Sequence, residues 1–175
     1  MAYGACLSGS EFGILTGIGF SALYVVTALV SGRLVDSYSP ANVLLVGLLV
    51  WSVATAAQAL AHSFSELLVV RLIQGGAEAV AAPASYALVA RLAPASQRSL
   101  ANGVFSVGIY AGGAAASLSI LLARYVGWRS ICIGLGSLGL SLGCLLWLQW
   151  SVIQSLSAPA PAPAPACNAP AGARR

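Results

Sequence analysis

The chain has 175 residues, of which 59% are hydrophobic and only 7% are charged. Soluble domains carry about 25% charged residues, so this composition excludes an ordinary water-soluble enzyme. It also excludes a disordered chain, which needs low hydrophobicity and high charge. The net charge of +4 comes from arginines spread along the chain, which argues against a nucleic-acid-binding domain with a basic patch.

Five apolar runs follow one another along the chain, each of about 19 residues or more, enough for a helix to cross a hydrocarbon core of about 30 Å. Segments that span lipid must satisfy their own backbone hydrogen bonds, which favours helices. We therefore predict an all-α membrane protein with an N-terminal stub at residues 1–11 and five transmembrane helices at about residues 12–31, 43–61, 66–88, 100–122 and 130–153.

The C-terminal part has a different composition. Residues 154–175 contain an alternating Ala-Pro tract and end in two arginines. Such a composition is typical of an extended, solvated segment without a packed core. We predict a disordered tail at residues 154–175, with a docking site for a proline-binding module as the weaker alternative.

The arginines outside the third run predict the orientation of the chain in the membrane. If the loop after the first run is cytoplasmic, five arginines lie inside and two outside, which follows the positive-inside bias. The inside group is Arg33, Arg91, Arg98, Arg174 and Arg175, and the outside group is Arg124 and Arg129. We therefore expect an integral, multi-pass membrane protein with its C-terminal tail in the cytoplasm.

The third run contains residues that are rare in a membrane. Arg71, Gln74 and Glu78 are spaced i, i+3 and i+7, so they share one face of a helix. A charge at the bilayer centre costs about 2.5–3.5 kcal/mol, so this face should look into a bundle or a watery cavity. We interpret the three residues as a substrate or proton pathway. The alternative for Arg71 is a position near the outer end, where its side chain snorkels to the headgroups.

Small residues in the runs predict close helix packing. Gly75 extends the polar face of the third run, and the fourth and fifth runs each contain a G-x-x-x-G spacing, at Gly108 and Gly112 and at Gly139 and Gly143. Small residues let helix backbones approach closely in lipid, so we assign these glycines to packing. Pro83 predicts a kink in the third run.

No arrangement of residues in or near the runs is typical of catalysis or of metal binding. The sequence lacks a Ser/His or Cys/His pairing, a metal-ligand cluster and a glycine-rich phosphate loop there. We therefore predict no enzyme, no catalytic residues, no metal and no cofactor. The expected partners are the lipid bilayer and a small-molecule or lipid substrate, with no nucleic acid.

With these motifs in place, residues 10–148 resemble the first half of a major facilitator superfamily transporter of the spinster-like branch. Residues 32–36 (Gly-Arg-Leu-Val-Asp) are similar to the loop motif between the second and third helices of that family. Residues 67–79 are similar to its fourth-helix motif R-x-x-x-G-x-G/A-E-A, and Pro83 follows at the familiar offset. Supporting matches are Trp51-Ser52, Ala54-Thr55, Arg98, Gly103 and Gly127-Trp128-Arg129.

The resemblance implies two six-helix bundles around a central path and transport by alternating access. It implies that Arg71 and Glu78 line the cavity and take part in proton or substrate coupling. Gly32 and Asp36 would shape a cytoplasmic gate, with Arg98 as a candidate partner for Asp36. The substrates it suggests are lysolipids, sphingoid lipids or organic anions, coupled to a proton gradient.

The sequence also departs from the family pattern. Asp36 is followed by serine instead of a basic residue, so the basic half of the gate motif is absent, and the glycine-rich stretch at residues 108–113 lacks the proline of drug–proton antiporters. The family's first helix would precede Phe12, so the five runs correspond to helices two to six. We therefore expect an incomplete chain whose second half-bundle is missing. The alternative is a non-transporting truncated membrane protein or an interaction subunit.

Overall fold

A computed structural model describes residues 8–149 of the chain. This range folds into helices joined by short turns, with a 3₁₀ turn at Gln58–Leu60. The helices are α1 (Gly9–Thr16), α2 (Ile18–Ser37), α3 (Pro40–Ala57), α4 (Phe64–Ala79), α5 (Ala81–Leu92), α6 (Arg98–Val126) and α7 (Trp128–Leu148).

Within the described range, five helical stretches are long and apolar enough to cross a membrane. They are Gly9–Ser37, Pro40–Leu60, Phe64–Leu92, Arg98–Val126 and Trp128–Leu148. The predicted all-α fold class with five spans is thereby confirmed. The end of the fifth predicted helix (150–153), the tail (154–175) and the first part of the stub (1–7) lie outside the described residues.

The first span is longer than the sequence predicts. It begins at Gly9 because Ser8 and Glu11 form a capping box, in which Ser8 Oγ accepts from the Glu11 backbone N–H and the Glu11 carboxylate accepts from the Ser8 N–H. It continues to Ser37 and ends before Tyr38 and Ser39, which are both extended. An extended backbone is favoured at Ser39 because a proline follows it. The residues predicted as a loop from Gly32 onward therefore lie mostly in the last turns of α2.

The third span is interrupted at Val80, which separates α4 from α5. Pro83 lies three residues further on. Its ring nitrogen has no hydrogen to donate to the carbonyl of Ala79, and its ring is crowded by that carbonyl. The break in the helix therefore lies where Pro83 removes a helical hydrogen bond.

The helices pack in an order that differs from their order in the chain. α4 lies between α2 and α3, and α7 packs on α3. α5 lies beside α3 and α2, while α6 contacts α5 and α7 at the edge. No residue of α6 is buried. The buried residues of the described part lie in the other helices and in the turns that join them.

Glycines allow the closest of these helix contacts. Along α7, the glycines are spaced i, i+3 and i+7, and a Cβ atom built on any of them would collide with α3. The facing pairs are Gly136 with Ala56, Gly139 with Ser52, and Gly143 with Leu49. We call this contact the α3–α7 seam.

The other predicted packing glycines fall into two groups. A Cβ atom on Gly75 would collide with the backbone carbonyl of Phe20, so α4 and α2 approach each other closely there. Gly108 and Gly112 of α6 have no atom within 4 Å of an added Cβ. Among residues 8–149, the packing role predicted for these two glycines has no partner.

Candidate functional site

Two polar stripes face each other between α3 and α4. On α4 the stripe is the predicted one, with Arg71, Gln74 and Glu78. The second stripe consists of Trp51 and Thr55 of α3 and Gln58 of the 3₁₀ turn that follows it, spaced i, i+4 and i+7. Because the two helices are antiparallel neighbours, residues near the start of one stripe meet residues near the end of the other.

Gln74 is at the centre of this contact. Its Oε1 accepts from Gln58 Nε2 at 2.9 Å, and its Nε2 donates to Thr55 Oγ1 at 3.1 Å. All three side chains are buried, with 5–7% of their surface exposed. A buried polar group costs free energy unless it is hydrogen-bonded, so this pairing is what allows three polar side chains between apolar helices.

Arg71 lies at one end of the site and is half-buried. Its Nη1 donates to Gln74 Oε1 at 3.5 Å, the long limit of a hydrogen bond. Among residues 8–149, its hydrogen bond is with a neutral amide and it forms none with a carboxylate.

Glu78 lies at the other end of the α4 stripe, two helical turns from Arg71. Its Oε2 accepts from the indole Nε1 of Trp51 at 3.3 Å, and its side chain is exposed. The structure therefore separates a cation and a carboxylate on one helix face, with a network of neutral hydrogen bonds between them.

The residues assigned to a cytoplasmic gate are not brought together in the described range. Gly32 and Asp36 lie in the last turns of α2, and both are exposed. Arg98, at the start of α6, donates from Nε to the backbone carbonyl of Ala93 at 3.2 Å. Within residues 8–149, no hydrogen bond or ion pair joins Arg98 to Asp36, so a paired gate stays a prediction.

A separate cavity of about 460 Å³ lies between α2, α3 and α4. Its walls are apolar apart from Tyr38 and Asn42. Asn42 Oδ1 is buried and has no hydrogen-bond partner in the described part of the chain. This cavity offers apolar surface but no charged group, so it is distinct from the two polar stripes.

Sequence reasoning missed the role of Gln58 in the site. Thr55 and Trp51 entered only through the family resemblance, and Gln58 was not singled out. The available signal was a polar amide at i+3 from Thr55 inside the apolar run at residues 43–61. Among residues 8–149, no group of three His, Cys, Asp or Glu side chains could hold a metal ion.

The spans and the two stripes define an α-helical membrane protein with a cation and a carboxylate on one face of a spanning helix. Charges placed within spans in this way mark solute and ion pathways in such proteins. The sequence matches the family model of the Major Facilitator Superfamily over residues 1–174. The chain belongs to that superfamily, which confirms the predicted family. The relatives found are transporters and not enzymes.

Two plant proteins are among the most similar relatives. The chain is 36% identical over 132 residues to the probable chloroplastic anion transporter 3 of Arabidopsis thaliana. The matched region covers 73% of this chain and 25% of that protein. It is 34% identical over 131 residues to the chloroplastic ascorbate transporter of the same organism, covering 73% of this chain and 24% of that protein. The chain spans about a quarter of the length of these two relatives.

A solved structure shares the fold. It is the crystal structure of a bacterial homolog of the human lysosomal transporter Spinster, in an inward-facing and occupied conformation, with a TM-score of 0.73 and 24% sequence identity. The match covers 81% of this chain and 36% of that chain. The likeness agrees with the predicted part of a six-helix bundle.

Proposed function

We propose that the chain contributes an anion-binding site to a proton-coupled membrane transporter that works by alternating access. The observation that carries this proposal is Arg71, a half-buried guanidinium inside a membrane-spanning helix whose hydrogen bond, among residues 8–149, is with a neutral amide. An unbalanced charge in a membrane is costly, and an anionic substrate would balance it. The names of the two plant relatives, an anion and an ascorbate transporter, support the same substrate class.

Glu78 supplies the coupling in this proposal. An ionised Glu78 carboxylate, two helical turns away on the same helix face, repels an anion bound at Arg71. Protonation of Glu78 removes that repulsion, so binding of a proton and binding of an anion favour one another. The expected reaction is therefore symport, in which the anion and a proton cross the membrane in the same direction.

Substrates with an anionic headgroup, such as lysolipids, fit the same chemistry as small organic anions. Sphingoid lipids with a cationic amine fit it less well, because they would bring a second positive charge to Arg71. We therefore place organic anions first and anionic lysolipids second.

The test is uptake by the 175-residue chain reconstituted in lipid vesicles with a pH gradient. Radiolabelled ascorbate, phosphate and a lysophosphatidic acid serve as separate probes. The wild-type chain should take up at least one probe faster when the outside is acidic. Glu78→Gln should abolish the proton-linked uptake, and Arg71→Gln should abolish uptake altogether.

Two variants at charged residues outside the polar stripes serve as controls. Glu66→Gln changes an exposed carboxylate in the first turn of α4, and Arg124→Gln changes an exposed arginine in the last turn of α6. Both should transport as the wild type does. Absence of uptake by the wild type would favour a non-transporting membrane protein, and pH-dependent uptake by Glu78→Gln would overturn the role of Glu78.

A further inference from the structure

The side-chain amide of Gln74 is held at both ends, by Thr55 of α3 and by Gln58 of the 3₁₀ turn that follows α3. Its nitrogen donates to Thr55 and its oxygen accepts from Gln58, at 3.1 and 2.9 Å. All three residues are buried. An amide buried in this way cannot reorient without losing these hydrogen bonds, because its burial separates it from bulk solvent.

Thr55 decides which end of the amide faces Arg71. A threonine hydroxyl has one hydrogen, and Thr55 Oγ1 donates it to the backbone carbonyl of Trp51 at 2.7 Å. Toward Gln74 the hydroxyl can therefore only accept, so the amide nitrogen must face Thr55. The amide oxygen must then face Arg71, and this orientation follows from the count of donors instead of an arbitrary choice of amide rotamer.

The direction of this amide matters for the charge of Arg71. A neutral oxygen at 3.5 Å from Nη1 orients the guanidinium but does not cancel its charge. The reversed amide would place its own N–H donors against those of Arg71, and both groups can only donate there. The observed orientation of the Gln74 amide therefore fixes the position of the guanidinium and leaves its charge available to a ligand.

We propose that Thr55 and Gln58 are positioning residues for anion binding at Arg71. They act through Gln74, whose oxygen they hold toward the guanidinium. This proposal rests on the proposed function, because it assumes that an anion binds at Arg71. It adds one residue of α3 and one of the following 3₁₀ turn, which the charges on α4 do not by themselves identify.

The test compares Thr55→Val, which keeps the shape of the side chain but removes the acceptor, with Thr55→Ser, which keeps the hydroxyl. The full chain in detergent micelles is heated at increasing concentrations of phosphate or ascorbate. The rise of the melting temperature with concentration gives an apparent Kd, since a ligand stabilises the state that binds it. The melting temperature without anion reports folding separately for each variant.

We expect Thr55→Val to raise the apparent Kd about tenfold, as loss of one buried hydrogen bond predicts. Thr55→Ser should stay within about twofold of the wild type. Thr16→Val is the matched control, because its hydroxyl is exposed and donates to the carbonyl of Phe12 outside the site; it should leave the Kd unchanged.

Gln74→Glu provides a second variant that does not depend on the folding of Thr55→Val. It places a carboxylate beside Arg71, and the resulting ion pair should eliminate the stabilisation by anions. Equal affinity of Thr55→Val and the wild type, or equal loss in Thr55→Ser, would each overturn the positioning role while the anion site stands. Undiminished affinity of Gln74→Glu would show that the anion does not bind at Arg71, and would overturn both the site and the positioning role. If the wild type is stabilised by neither anion, the proposed function fails and this inference fails with it.

Discussion

At the scale of single residues, the described part of the chain depends on small side chains at helix crossings. Ser52 of α3 is fully buried and donates its hydroxyl hydrogen to the carbonyl of Leu48 at 2.6 Å. Gly139 of α7 lies directly against it. Because the hydroxyl is held in place by its own hydrogen bond, it cannot move aside for a larger neighbour.

Gly139→Ala should therefore destabilise the protein. The added methyl group would collide with Ser52 Oγ, and overpacking of this kind costs about 1–3 kcal/mol. We expect a lower melting temperature in detergent micelles, measured by circular dichroism.

Gly112→Ala is the matched control for this substitution. It adds the same methyl group at a glycine in the middle of α6, where nothing lies within 4 Å. Alanine also has the higher helix propensity, by about 0.8–1.0 kcal/mol, so the melting temperature should stay the same or rise. Equal destabilisation by both substitutions would contradict the α3–α7 seam.

The two glycine pairs also mark the limit of what the sequence predicts. Gly108 and Gly112 have the same spacing as Gly139 and Gly143, yet in the described range only the second pair contacts another helix. Spacing within one helix identifies a face, but it does not identify the helix that covers it. For the same reason the α4 stripe could be predicted from charges in an apolar run, whereas its partner Gln58 could not.

At the scale of whole elements, the helix ends differ in how their free N–H groups are satisfied. Ser63 caps α4, because its Oγ accepts from the backbone N–H of Glu66 at 3.3 Å. The Glu66 carboxylate in turn accepts from the backbone N–H of His62 at 2.8 Å. Ser39 precedes α3 in the same way but forms no capping hydrogen bond with its side chain.

We expect Ser63→Ala to lower the free energy of unfolding by about 1 kcal/mol, the usual effect of losing an N-cap side chain. Ser39→Ala should have little effect, because no capping hydrogen bond is lost there. Thermal melting of the two variants under identical conditions gives the comparison. A larger effect of Ser39→Ala than of Ser63→Ala would show that the cap does not stabilise α4.

At the scale of the whole molecule, the distribution of arginines predicts the orientation in the membrane. The turn between α5 and α6 is flanked by Arg91 and Arg98, and the positive-inside bias predicts that it lies in the cytoplasm. The turn between α3 and α4 contains His62 and no arginine, and the alternation of spans predicts that it lies on the opposite side.

Cysteine labelling of intact cells tests this orientation. In a background where the native cysteines are replaced by alanine, Ser96→Cys should react with an impermeant maleimide only after the membrane is opened. His62→Cys should react without opening. Both positions are exposed, so burial does not confound the comparison, and the reverse pattern of labelling would refute the assigned orientation.

The α3–α7 seam has a consequence for how the chain is assembled. Helices enter the membrane in the order of synthesis and then associate, but this seam joins the second span to the fifth. The face of α3 that includes Ser52 must therefore stay against lipid until α7 has been inserted. Of the described helices, α7 is made last, yet it completes the burial of α3, which belongs to the second span. A ribosome that stalls after α3 and before α7 would therefore leave this face of α3 uncovered in the bilayer.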